Sequence, residues 1–138
     1  MAFKDVIQDF KSALAFITIL PAGKIKAFNP FGMIRFFPLV GLIIGLGLAI
    51  VDILSSIFWP YEVTSVLCVL FLVVVTGAFH LDGLGDTADG IFSHRSKERA
   101  LEIMKDSRTG MMGLVAVVMV LMMKTAGIYA VNTSGSFK

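Results

Sequence analysis

Three stretches of this chain stay apolar for close to the roughly 20 residues a helix needs to cross a bilayer core of about 30 Å. They run from Pro38 to Phe58, from Val63 to Phe79 and from Met111 to Val131. Between the first two, Trp59-Pro60-Tyr61-Glu62 sets a helix-breaking proline among interfacial aromatics, which predicts a tight hairpin. Upstream, Phe3, Val6, Ile7, Phe10, Leu14 and Ile17 recur at helical spacing, with Lys4, Asp5, Gln8, Lys11 and Ser12 largely on the other side. That pattern predicts an amphipathic helix lying on a membrane surface, ended by Pro21-Ala22-Gly23 and followed by a loop to Phe37. The expected fold is all-α: a polytopic integral membrane protein, residues 1–138 forming a single membrane domain of about three transmembrane helices plus the N-terminal interfacial helix. Within the first span, Gly41, Gly45 and Gly47 predict a face that another helix approaches closely.

Composition narrows the class. With 57% apolar residues, 16% charged residues and a mean hydropathy of +0.86, the chain is neither an ordinary soluble globule, nor disordered, nor a nucleic-acid-binding domain. Twelve basic and ten acidic side chains leave a formal charge of +2, so the placement of charge says more than its sum. Lys4, Lys11, Lys24, Lys26 and Arg35 precede the first span, Arg95, Lys97, Arg99, Lys105 and Arg108 lie between the second and third, and the Trp59–Glu62 turn has none. By the excess of basic residues on the inner side, the N-terminus and the long second loop are expected in the cytoplasm, at a prokaryotic inner membrane. No cleaved signal peptide is read, and the single Cys68 is expected to pack.

Chemistry concentrates in one place. Asp82, Asp86 and Asp89, spaced by four and three, fall within roughly 60° of one another on a helix. Carboxylates gathered on one face repel, and compensation by a cation is expected. Hard oxygen ligands that only partly encircle an ion suit Mg²⁺, which takes one or two carboxylates plus phosphate oxygens and water. Gly83, Gly85 and Gly90 interleave with the aspartates at a helix-propensity cost near 1 kcal/mol each, which suggests a substrate approaching the backbone. Lys105 and Arg108 are candidates for phosphoryl oxygens; Arg95, Lys97 and Arg99 serve equally well as topology charges or as partners of Glu98 and Glu102. His80, two residues before the first aspartate, could ligate, donate a proton or end the second span, and His94 is the weaker candidate. Lys124 lies deep in the third span, where an ionisable group is a functional candidate, about 20 Å from the cytoplasmic start of its helix; Asp52 poses the same question near the opposite face.

The stretches FITILPAG, FFPLVGLIIG, HLDGLGDTADG and ERALEIMKDSRTGMMG, the last running into an apolar helix that holds Lys124, resemble the cobalamin synthases, the adenosylcobinamide-GDP ribazoletransferases. The resemblance covers nearly the whole chain. It implies a magnesium-dependent membrane transferase of late vitamin B12 assembly that joins adenosylcobinamide-GDP to α-ribazole, or its 5′-phosphate, and releases GMP. On that reading Asp82, Asp86 and Asp89 are the metal ligands. Asp89 is also the base for the ribazole hydroxyl, with Lys105, Arg108 and His80 beside it in catalysis and Gly83, Gly85, Gly90, Arg95 and Lys124 at the substrate. Family members continue through further membrane helices, so a homo-oligomer or a C-terminal half is expected as partner, besides membrane lipid and no nucleic acid. Gly85 stands where alanine is usual.

Other readings separate on single features. The aspartate lattice is similar to that of the CDP-alcohol phosphotransferases, whose full glycine and alanine-arginine pattern is not present. An intramembrane prenyltransferase would need a second aspartate-rich motif. A transport component would spread acidic groups through the spans, whereas here they gather at one mouth. An inactive fragment that only packs in the membrane or binds magnesium differs from an enzyme in forming no cobalamin.

Overall fold

The computed structural model describes residues 3–26, 28–106 and 108–134, and these contain seven helices and no strand. Helix α1 (Phe3–Ile17) is amphipathic as the spacing predicts. It ends earlier than Pro21, where Thr18 turns its hydroxyl back to the Leu14 carbonyl (2.7 Å). The face of α1 turned to the fold includes Asp9, Ser12 and Ala13, which pack on α2 (Pro30–Ile34), a short helix inside the stretch expected to be loop. Pro30 begins α2 where its fixed φ and missing N–H cost nothing. Ala13, Met33 and Val40 form a small core under α1, and Phe10 meets Phe36 edge-on at 6.0 Å.

Helix α3 (Phe37–Phe58) is the first expected span and α7 (Met111–Ser134) the third. At 22 and 24 residues they reach about 33 and 36 Å, enough to cross the hydrocarbon core. Only 6% of the most apolar window of α3, and none of that of α7, is buried within the chain, so these helices face lipid or further protein. The chain is a membrane protein. The hairpin forms at Trp59-Pro60, and α3 packs along α4 (Tyr61–Val75). Of the three glycines expected at a helix contact, Gly47 alone performs it, since a Cβ there would meet the Phe71 ring at 2.8 Å; Gly41 and Gly45 face open space.

The second span departs most from expectation. Helix α4 stops at Val75, and α5 (Phe79–Ile91) begins after a bend of 87°. Gly77 (φ 59°) and Ala78 (φ 58°), both left-handed, make this break. An added Cβ on Gly77 would also press on Ile19, whose N–H donates to the Val75 carbonyl at 2.9 Å. Among the described residues two helices are therefore long and apolar enough to span by themselves, and a third crossing exists only if the bent pair is counted as one.

After the bend, α5 continues antiparallel along α7, in the sense already taken by α4. Tyr129 lies near Glu62 at the start of α4, Leu121 and Lys124 near Thr76 and His80 at the bend, Val117 near Gly85, and Gly113 near Asp89. Helix α6 (Lys97–Ile103), capped by Ser96 through the Arg99 N–H (3.4 Å), packs on α5.

Candidate active site

All three aspartates lie on α5, as their spacing predicts, but they do not act as one face. Asp82 and Asp86, one turn apart, line a groove of about 250 Å³ between α5 and α7 with Gly85, Thr109, Leu114 and Val117. Asp82 is exposed and Asp86 half-buried, and neither carboxylate takes a hydrogen bond from another described residue. Asp89 is engaged instead. Its Oδ2 accepts from the Gly110 N–H at 2.6 Å and its Oδ1 from the Gly113 N–H at 2.7 Å. One carboxylate thus satisfies two of the backbone donors left open at the start of α7, where the helix dipole also favours an anion.

Among the described residues no three His, Cys, Asp or Glu side chains converge on one ion. The acidic trio becomes a pair and a clamp. The pair still suits Mg²⁺, which is content with one or two carboxylates when substrate phosphates and water complete its shell, and the groove beside Asp82 and Asp86 is open to such a substrate.

The glycines divide as well. Gly85 and Gly90 are buried; a Cβ on Gly85 would lie 3.7 Å from Val117, and one on Gly90 would collide with the Met104 side chain and crowd the Ala100 carbonyl, so these two let α7 and α6 approach α5. Only Gly83 of the three has open space where a Cβ would be.

A second cavity, about 390 Å³, joins Asp89 to Ile103, Asp106, Arg108, Thr109 and Gly110. Here Arg108 donates to Asp106 through Nη2 at 2.6 Å and through Nε at 3.1 Å. The guanidinium holds the Asp106 carboxyl down at about 2, and the same contact raises Arg108 above its ordinary value. Because the folded value of Asp106 is depressed, the pair is intact throughout the neutral range and is lost only as pH falls toward about 2. Arg108→Gln is expected to return Asp106 to near its ordinary 3.8, read by carboxyl-carbon NMR. An unchanged titration would mean that another group holds it.

Lys105 is exposed beside this cavity, and Arg95 is exposed on the α5–α6 turn, lining neither the groove nor the second cavity. Arg99 pairs with Glu102 at 2.5 Å and belongs to the surface of α6. His94 sits in that turn with φ 52°. His80 and Lys124, far apart in sequence, share the wall of a third cavity at the α4–α5 bend. Asp52 is settled elsewhere, accepting from Asn132 Nδ2 at 2.7 Å and from the Cys68 thiol at 3.6 Å. Thr109, Gly110 and Gly113 join the site only through the fold. Their signal was the pair of glycines three apart in RTGMMG, directly before the apolar run.

Residues 9–137 match the family model described as cobalamin-5-phosphate synthase. The chain belongs to the cobalamin-5-phosphate synthase family. Curated relatives named adenosylcobinamide-GDP ribazoletransferase include one from Clostridium novyi, 52% identical over 72% of this chain and 40% of the relative. Another, from Geotalea daltonii, is 42% identical over 88% of this chain and 50% of the relative. A third, from Clostridioides difficile, is 38% identical over 94% and 51%. This member of the cobalamin-5-phosphate synthase family thus spans about half the length of the curated relatives it matches. No solved structure matches it.

Proposed function

We propose that the chain carries the aspartate site of an adenosylcobinamide-GDP ribazoletransferase, which joins adenosylcobinamide-GDP to α-ribazole or its 5′-phosphate and releases GMP. The observation that carries this reading is the open pair Asp82 and Asp86 in the α5–α7 groove of a chain whose relatives bear that name. In the reaction the ribazole hydroxyl oxygen bonds to the phosphorus that carries cobinamide, the bond from that phosphorus to the GMP oxygen breaks, and the hydroxyl proton is taken up. Asp82 and Asp86 would hold Mg²⁺, which supplies neutralisation of the diphosphate oxygens.

The rest falls to this chain's own groups, as positioning and electrostatics. Both oxygens of Asp89 are on backbone N–H groups, so it anchors α7, and the hydroxyl proton goes to Asp82 or Asp86, which line the groove. Lys105, exposed next to Asp106 in sequence, meets the charge that develops on GMP, and Arg108 lines the second cavity together with Asp106. Gly83 leaves room for substrate beside the pair. The basic residues before α3 and between α5 and α7 support a cytoplasmic N-terminus and aspartate groove, at an inner membrane. The lipid-sized apolar faces of α3 and α7 support partners in the membrane, a second copy or the other half of the family's length.

Membranes containing the chain, given adenosylcobinamide-GDP, α-ribazole and Mg²⁺, should form cobalamin and GMP in equal amounts, alone or when supplied with the remaining half of a relative. No product in either case would sink this function.

A further inference from the structure

Arg108 is pinned by one edge of its guanidinium and free at the other. Its Nη2 donates to Asp106 Oδ2 at 2.6 Å, its Nε reaches Oδ1 and Oδ2 at 3.1 Å, and its backbone N–H donates to Oδ1 at 3.1 Å. One carboxylate thus fixes the plane of the guanidinium through the Nε side of the fork. The end of the fork, made by Nη1 and the outer hydrogen of Nη2, has no partner among the described residues. As an exposed ion pair the two residues add little to stability. Their place in the fold is more telling. Arg108 lies two residues before Gly110, whose N–H is held by Asp89 Oδ2 at 2.6 Å, so α5 fixes the segment that carries it. With Ile103 and Thr109, the pair lines the cavity of about 390 Å³ beside Asp89, a size within the roughly 300–1,000 Å³ of small-ligand sites. Thr109 also lines the aspartate groove, so the two spaces meet there. Asp86 and Asp89 are three residues apart, about 4.5 Å along α5, so the second cavity begins one step beyond the aspartate pair. A nucleotide with its phosphates at Asp82 and Asp86 reaches past Thr109 into it.

We propose that Arg108, buttressed by Asp106, reads the O6 and N7 edge of a guanine nucleotide in this cavity. A fork offering two parallel donors matches the two acceptors that guanine presents on that edge, whereas adenine offers N7 beside the N6 amine, which repels the second donor. Ile103 supplies an apolar wall for the ring. Arg108 is thereby the specificity-determining residue and Asp106 its positioning residue, and the phosphates are left to Mg²⁺ at the aspartate pair and to Lys105. The choice of a guanine nucleotide rests on the transferase reading above; the free, buttressed fork at the cavity does not.

The chain in phosphatidylcholine nanodiscs with Mg²⁺ is tested by equilibrium dialysis for binding of GMP, IMP, 7-deaza-GMP and AMP. GMP and IMP share O6 and N7, so they should bind alike and about tenfold more tightly than AMP, the worth of one bidentate contact. The 7-deaza analogue lacks the N7 acceptor and should fall toward AMP. Arg108→Lys keeps the charge and loses the fork, so it should erase most of the preference for GMP while AMP binding changes little. Asp106→Ala frees the fork and should reduce the same preference, which a general loss of structure would not do selectively; circular dichroism confirms helix content in each variant. No binding of GMP, a preference untouched by Arg108→Lys, or 7-deaza-GMP bound as tightly as GMP would overturn the assignment. An equal loss for GMP and AMP in Arg108→Lys would place Arg108 on the phosphate, and IMP bound as weakly as AMP would place the recognition at the N2 amine; either result also overturns it. Cobalamin formation by a chain whose preference survives Arg108→Lys would refute this inference and keep the transferase reading. An Arg108-dependent preference in a chain that makes no cobalamin, even with the remaining half of a relative, would do the reverse.

Discussion

Asp82→Asn and Asp86→Asn should each lower GMP release by roughly 10²–10³-fold, the loss typical when one charge-stabilising group is removed from a phosphoryl or acyl transfer site. The two carboxylates line one groove and take no hydrogen bond from the described chain, so asparagine keeps the shape and removes only the negative charge. Folding should be unaffected, because neither carboxylate serves as a structural acceptor. The decisive comparison is with Asp89→Asn, which should lose stability together with activity, since its amide would present N–H groups to the N–H of Gly110 or Gly113. Near-normal GMP release from both Asp82→Asn and Asp86→Asn would remove the pair from the chemistry.

The second large effect is expected at a glycine. A Cβ at Gly113 would collide with the Asp89 carboxylate and come within 2.8 Å of the Gly85 carbonyl oxygen, backbone that has no freedom to yield. Gly113→Ala should therefore push α7 away from α5, destabilising the chain by about 1–3 kcal/mol, the usual cost of overpacking. Activity should fall with it, because Thr109, Leu114 and Val117 form the α7 side of the aspartate groove. Asp89→Ala should cost a similar amount, about 1.5–3 kcal/mol, by removing a charged acceptor from two backbone donors. Gly83→Ala is the control, since its Cβ would meet nothing. Thermal unfolding in detergent reads all three, and a Gly113→Ala chain as stable as the parent would show that α5 and α7 are not locked at this point.

The parts of the fold carried by long hydropathy runs were legible in the sequence. The limits of α3 and α7 and the Trp59-Pro60 hairpin follow from apolar length and one proline. The bend in the second span was hidden because Thr76-Gly77-Ala78 does not interrupt the apolar run, and hydropathy carries no record of backbone handedness. The helical phase of the aspartates was legible too, and it placed Asp82, Asp86 and Asp89 on one helix. It could not show that Asp89 meets donors 21 and 24 residues away, because that contact exists only once α5 packs against the start of α7. The same helix packing resolves Lys124. Measured along its own helix the lysine lies far from the start of α7, but the α4–α5 bend packs beside it, so that α5 begins there with His80 on the wall of the same cavity. Likewise Gly85 and Gly90 read as room for substrate, since a sequence does not distinguish space kept for a ligand from space filled by a neighbouring helix.

On the proposed reading Asp82 and Asp86 hold magnesium, while Asp89 holds the start of α7. Manganese, as a paramagnetic substitute for magnesium, can be counted by electron paramagnetic resonance in the nanodisc-embedded chain with adenosylcobinamide-GDP present. The parent chain and Asp89→Glu, which keeps a carboxylate for the α7 donors, should each bind one ion per site, and Asp82→Asn and Asp86→Asn should each lose it. Undiminished manganese binding in both of those asparagine variants would contradict the assignment.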